Sequence, residues 1–423
     1  MHRFYLTNNL GGGGTNVSRF VDYKQLFDLP NIGLLLNYYY LSGNFDIKMK
    51  FDTSLINTIH NYNDIADFLN VAKTYFTNCR SVSSFFKQNV EPTTINGYML
   101  DNGCGNILRD LLQNDTYSSK LINKLIEPFH DFAELLKFDF AIALDYAMKY
   151  TYKDNESRDL KSKKLWQKLA GDEEINLSLI TTTLELFKSK KYSHHIYAPI
   201  HGFDYSSFED YSQKILETEQ KIGSSFNGFA LGGIADTRKL PNSVWSISST
   251  ISGEIKTGYI VSKLCQSVRS KTDRPLHILG AGSIYVLPFI INAGATSSDC
   301  HSAWRRASDG GFDKAKILIP LLNDKLEFIN SKHALKYVRI RDIDDSYNFD
   351  FGYSIADLKK LYQSDNKENL YFAEILAFYE AIKQYDLIIR FTNTYSDFLQ
   401  RLCKTTDNEF NTNYQILSDS LNQ

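Results

Sequence analysis

Short apolar runs punctuate this chain at a near-regular interval. They cover residues 32–40, 97–101, 138–145, 194–202, 226–233, 276–282 and 295–299, and most end in or near Gly, Asp or His. Longer stretches of mixed polarity lie between them. Residues 107–136 and 208–222 have room for helices, and Phe208, Tyr211 and Ile215 recur at the helical period. Strands alternating with helical stretches predict a parallel sheet joined by crossover helices. Seven or eight such units favour an α/β fold of the closed (β/α)8 TIM-barrel type; periodicity alone leaves an open doubly wound sheet as the alternative.

Beyond Gly311 the pattern changes. Residues 315–322 read as a strand or short helix, and residues 371–402 as one or two helices whose aromatic stripe is core packing. The expected organisation is a main barrel part over residues 1–311 and a barrel-closing, C-terminal helical segment over residues 312–423. The glycine run at 11–14 predicts a loop and no phosphate cradle, because no Gly-Lys-Ser/Thr follows it.

Composition narrows the classes. Hydrophobic residues at 43% and aromatics at 14% supply a large core, which excludes global disorder. A net charge of −2 gives no overall basic footprint, so a nucleic-acid partner would need a local patch. The five cysteines are scattered without a CxxC pair, which reads as reduced intracellular thiols. The N-terminus lacks an export signal and no run approaches the ~20 apolar residues of a membrane span. A soluble, cytoplasmic protein without a membrane partner is expected.

The strand ends carry the candidate chemistry. In order they offer Asp101, Asp145, His201, the pair Gly232 and Gly233, the turn Gly280 to Gly282, and Asp299. One Asp after an apolar strand is usually a helix cap or turn former. Three carboxylates and a histidine at successive strand ends are a richer set, since barrel enzymes keep their reacting groups there. Two carboxylates across one cleft suit glycosidic-bond chemistry, one attacking the anomeric carbon and the other moving protons.

Three segments carry a family likeness. GYMLDNGCGN at 97–106, FALGGIAD at 229–236 and RPLHILGAGSIYVLPFIINAGATSSDC at 274–300 resemble the queuine/archaeosine tRNA-guanine transglycosylase superfamily. The resemblance implies that Asp299 attacks C1′ of the target nucleotide, forms a covalent glycosyl-enzyme and releases guanine. It implies that Asp101 shuttles the proton between leaving and incoming bases. Asp145 would bind the amino-pyrimidine edge of the base, and His201-Gly202 would stand where the family has a Gln-Gly pair. Gly232 and Gly233 would bring backbone amides to that edge, and Leu279 would wall the base slot. Arg305 and Arg306 match a position where the family contacts phosphate.

The chain also departs from that family. The CxCxxC…H zinc module of the tRNA enzymes has no counterpart, so no metal and no cofactor are expected. Gly105 stands where the family often has a stacking aromatic, which leaves Tyr146 or Tyr98 for that role. These losses, with Trp304 soon after Asp299, look like the DNA-modifying branch, whose members insert a preQ0-like 7-deazaguanine into DNA. The expected partners are DNA, alternatively tRNA, together with the free base, and a homodimer is compatible. Two other classes compete: a non-catalytic binding relative, and an unrelated barrel lyase using Gly280 to Gly282 as a phosphate turn with His277 and Arg274 as cations.

Overall fold

The barrel begins earlier than the apolar runs indicate. The computed structural model of the chain describes residues 1–8, 29–38, 97–103, 119–145 and 173–404, apart from short gaps at 136, 235–237, 239, 250, 309–310, 330–334 and 347–353, and also residues 415, 416 and 418. The first strand, β1, is Arg3–Asn8, in a segment whose mixed polarity hides it among the runs. It is followed by β2 (Ile32–Asn37), β3 (Tyr98–Asp101), β4 (Phe140–Ile142), β5 (His195–Ile200), β6 (Gly228–Leu231), β7 (Leu276–Ile278) and β8 (Ser297–Asp299). Each pairs in parallel with the next, and β8 pairs with β1, so the eight strands close a barrel. The chain is a (β/α)8 TIM barrel.

Side-chain alternation along each strand fills both faces of this sheet. Tyr5, Leu35, Met99, Ile142, Tyr197 and Ala230 point inward and form one buried cluster. Phe4, Leu34, Leu36, Leu100 and Ile196 point outward into the larger core beneath the helices. Two tyrosines fit inside because glycines face them. A Cβ on Gly33 would lie 2.7 Å from the Tyr5 ring, and one on Gly228 would lie 2.8 Å from the Tyr197 ring.

The covering helices among the described residues are α1 (Ser119–Leu135), α2 (Glu173–Ser189), α3 (Tyr205–Ile222), α4 (Gly253–Arg269), α5 (Leu287–Asn292) and α6 (Ser302–Ser308). The first part of the helix expected over 107–136 lies outside the described residues. Helix α3 shows why this segment starts and stops where it does. Asp204 accepts from the Ser207 amide at 2.8 Å in a reciprocal cap, and Gly223 ends the helix at φ 71°.

Past α6 the chain forms β9 (Lys316–Leu318) and β10 (Tyr337–Arg339), an antiparallel pair, so the 315–322 segment resolves as a strand. Then come α7 (Ile355–Tyr362), α8 (Lys367–Thr394) and α9 (Phe398–Lys404), two helices where residues 371–402 left one or two open. The sheet closes by strand pairing alone, and α8 lies outside the β8–β1 seam. Tyr385 of α8 stacks on Phe4 at 4.0 Å. Trp304 of α6 is buried edge-on against Phe378 at 5.4 Å, so it packs the helix layer rather than facing a ligand.

Two buried polar side chains fix α8. Asp386 Oδ1 accepts from the backbone and side-chain amides of Asn31, both at 3.0 Å. Gln384 accepts from the amides of Leu321 and Leu322 at 2.9 and 3.1 Å and donates to the Leu322 carbonyl at 2.9 Å. The Gln384 amide thus pairs with the chain as a neighbouring strand would. Gln384→Ala strands two buried N–H groups and is expected to lower stability by about 3 kcal/mol. Urea unfolding measures this, and a loss below about 0.5 kcal/mol, the range of ordinary surface changes, would show that α8 is not held here.

Candidate active site at the barrel mouth

The C-terminal ends of the strands bring the predicted polar residues to one mouth. Thr7 is the penultimate residue of β1, while Asn37 ends β2, Asp101 ends β3 and Asp299 ends β8. Asp145 follows β4, His201 follows β5, and Gly232-Gly233 follows β6. Leu279 follows β7 and packs on the cluster that fills the barrel. The mouth therefore has an apolar floor and a polar rim, the arrangement that binds and orients a small planar group.

Asp299 is held by three donors. Thr7 Oγ1 donates to Oδ2 at 2.7 Å, while His277 Nε2 and the Gly280 amide reach Oδ1 at 3.1 and 2.9 Å. The carboxylate can only accept, so Nε2 of His277 carries the proton. Nδ1 then accepts from the Ser297 hydroxyl at 2.9 Å, which fixes the tautomer. Gly280 takes φ 67°, the left-handed region that glycine tolerates, and this points its N–H at the carboxylate. None of these supports follows from the motif alone: His277 and Gly280 stood out as a possible phosphate cation and phosphate turn, and Thr7 did not stand out.

Asp101 has a different setting. Its Oδ2 accepts from Asn37 Nδ2 at 2.6 Å. Removal from water, and after it the charges of Asp145 and Asp299, push its carboxyl up to about 7, against the lowering effect of the Asn37 and Asn102 hydrogen bonds. Asp145 and Asp299 are thus close enough for their charges to act on Asp101. Asn37 Oδ1 is buried without a partner among the described residues, an acceptor open to a ligand N–H.

Asp145 is fixed by Asn102 and His201. Asn102 Nδ2 donates to Asp145 Oδ1 at 2.7 Å and to the Ala143 carbonyl at 2.6 Å, and His201 Nε2 donates to Asp145 Oδ2. Among the described residues each Asp145 oxygen has one donor, which leaves a lone pair on each.

The glycines beside His201 serve packing. A Cβ on Gly232 would lie 2.5 Å from the His201 ring, and one on Gly202 would lie 2.6 Å from Phe208 of α3. The Gly232 amide bonds to the Ile200 carbonyl at 2.9 Å within the barrel ladder, so that donor does not face a base. Gly233, at φ 72°, is the one of the pair free to turn the chain away from the strand.

Tyr98 begins β3 and lies in the outer core, so it does not stack in the mouth. Tyr146 and Gly105 lie outside the described residues. Arg305 and Arg306 are exposed on α6, which leaves the mouth just after Asp299. Among the described residues no group of His, Cys, Asp or Glu is arranged to hold a metal ion, and no helix is long and apolar enough to cross a membrane.

No protein-family model matches the chain, and no curated protein matches it.

The raised carboxyl has a stability consequence. The folded state keeps the Asp101 proton up to about pH 7, while the unfolded chain releases it near the ordinary value of 3.8. Folding therefore loses stability as the pH rises through that window. Asp101→Asn removes the penalty: calorimetry should find the variant more stable than wild type at pH 8 and equal to it near pH 3. A constant difference across the range would show that Asp101 is not desolvated.

Proposed function

We propose that this chain is a base-exchanging transglycosylase, related to the queuine/archaeosine superfamily and closest in kind to its DNA-modifying branch. It exchanges guanine in DNA for a 7-deazaguanine. The observation that carries this reading is the opposite setting of two carboxyl groups at one mouth. Asp299 is locked as an acceptor by three donors, and Asp101 holds its proton to about pH 7. A nucleophile and a general acid–base on one cleft are what displacement at a glycosidic carbon requires.

In the proposed reaction Asp299 Oδ2, which has one donor, attacks C1′ while His277 and Gly280 stay on Oδ1. The C1′–N9 bond breaks, its electron pair leaves with guanine, and the Asp101 proton neutralises that base. A glycosyl ester on Asp299 conserves the bond energy. An incoming 7-deazaguanine then gives its N9 proton to Asp101 and attacks C1′, which frees the Asp299 carboxylate. Asp145 and His201, with Asn37 Oδ1, supply polar contacts to the base edge, and Leu279 supplies an apolar wall. The substrate base must leave its stack to reach this floor.

The lyase alternative has little support. The Gly280 amide is directed at the Asp299 carboxylate rather than at open space. Arg274 makes a bidentate pair with Glu219, 2.7 Å on each arm, at the far end of β7. Neither is free for a phosphate.

Asp299→Ala and Asp299→Asn should abolish incorporation of labelled guanine into DNA, while Asp299→Asn still binds DNA. Asp101→Asn should slow exchange by ~10²–10⁴-fold, the usual worth of acid–base assistance. Single-turnover guanine release by wild type should fall as the pH rises through about 7, where Asp101 loses its proton. Denaturing gels should show a DNA–protein adduct that disappears in Asp299→Ala. Normal exchange by Asp299→Ala would remove the proposed nucleophile. An adduct with tRNA and never with DNA would keep the chemistry and change the substrate, and binding without exchange would favour a non-catalytic relative.

A further inference from the structure

The hairpin after the nucleophile gathers positive charge in a way that costs the fold energy. In the β9–β10 pair Lys316 stands directly opposite Arg339, with Tyr337 opposite Leu318 on the same face. Like charges directly across an antiparallel pair are unfavourable. A third cation joins them, since the Arg306 guanidinium lies over the Tyr337 ring, 5.6 Å from its centre. The three also sense one another: burial, then the charges of Arg306 and Arg339, hold the Lys316 ammonium below its ordinary value.

The Glu254 charge reaches Tyr337, but its carboxylate accepts from the Ser283 hydroxyl at 2.7 Å. Arg306, Lys316 and Arg339 make no ion pair among the described residues, and the acids near the hairpin are already engaged. Arg341 takes Asp313 at 3.2 Å and Asp342 at 3.4 Å. In a chain of net charge −2, this is a local exception to the overall balance.

The cluster also lies beside the mouth. Tyr337 packs edge-on to Tyr285 of the loop after β7, with ring centres 6.4 Å apart. Cys300, the residue after Asp299, acts electrostatically on the Tyr337 hydroxyl. Arg306 is carried by α6, the helix that follows Asp299. The cluster thus adjoins the loop after β7 and the segment that follows Asp299.

We infer that Arg306, Lys316 and Arg339 form a seat for the phosphodiester backbone of the DNA whose base enters the mouth. The inference rests on the transglycosylase reading for the identity of the strand. It stands on its own for the chemistry of the seat, which is recognition of closely spaced phosphates by three cations that repel one another when the seat is empty. It reassigns the neighbouring pair: Arg306 belongs to the seat by position, and its partners come from the hairpin rather than from Arg305.

The test is the salt dependence of binding to a fluorescein-labelled DNA duplex. Each phosphate contact contributes about 0.9 to the slope of log K against log salt. The combined variant Arg306→Gln, Lys316→Gln and Arg339→Gln should lose about 2.7 of that slope, with affinity at 0.1 M salt down on the order of 10²-fold. Its melting temperature should equal or exceed that of wild type, because like-charge repulsion is removed. Arg306→Lys with Arg339→Lys should keep the wild-type slope. An unchanged slope in the Gln variant, or no duplex binding by wild type, overturns the seat.

Guanine exchange, measured in parallel, separates the two proposals. Exchange with an unchanged slope sinks the seat and leaves the transglycosylase. A seat-dependent slope without exchange sinks the transglycosylase and leaves the seat. The same titration with a tRNA transcript distinguishes the two strands: a seat-dependent slope on tRNA and none on the duplex overturns DNA as the occupant.

Discussion

Closure of β8 onto β1 is the contact on which the rest depends. The register pairs Tyr5 with Asp299 and Arg3 with Ser297, and so brings the end of the first strand beside the end of the last. Thr7 of β1 can then reach the Asp299 carboxylate at 2.7 Å. His2 ties the other end of the seam, donating to the Ala295 carbonyl and accepting from Ser298 at 2.9 and 3.0 Å. Burial holds His2 down to about 4. The unfolded chain takes up that proton near the ordinary 6.5, so the seam loses stability as the pH falls through that window. A barrel that failed to close would release the candidate nucleophile along with the edge strands.

Once the barrel is closed, its interior divides the chemistry by height. Aromatic and aliphatic side chains fill the middle, with glycines opposite the two tyrosines, so no water column reaches the rim from below. Carboxyl groups above this floor lose part of their hydration. The site distinguishes Asp101 from Asp299 by what each receives in return. Asp299 receives three donors, whereas Asp101 receives the Asn37 side-chain amide and the Asn102 backbone amide beside two like-charged neighbours. The same residue type thereby meets two different environments.

The helical extension works at a distance from this chemistry. Tyr385 of helix α8 stacks on Phe4 of β1, and Asp386 holds Asn31, whose carbonyl accepts from the Phe4 amide, so the helix steadies the strand that carries Thr7. Trp304 and the aromatic face of α8 pack together, which frees the opposite side of α6 to display its arginines.

Much of the fold was legible in the sequence, and so was the set of rim residues. Seven strands show as apolar runs because a parallel strand is buried on both faces, and Asp101, Asp145, His201 and Asp299 show because polar residues interrupt those runs at their ends. The strand at 3–8 stayed hidden, since its inward positions are Arg3, Tyr5 and Thr7 and break the apolar signal. What the neighbours do was not legible. Thr7 and His277 meet Asp299 across 292 and 22 residues, and Asn37 meets Asp101 across 64. Gly232 looked like an amide donor to a base until its N–H was found in the ladder and its missing Cβ under the His201 ring. The sequence by itself determined which residues end the strands, through local alternation of apolar and polar positions. Only the tertiary structure decided which of them hold a proton, which are locked by donors and which cations share a face, because hydration and hydrogen bonding depend on neighbours that chain order does not bring together.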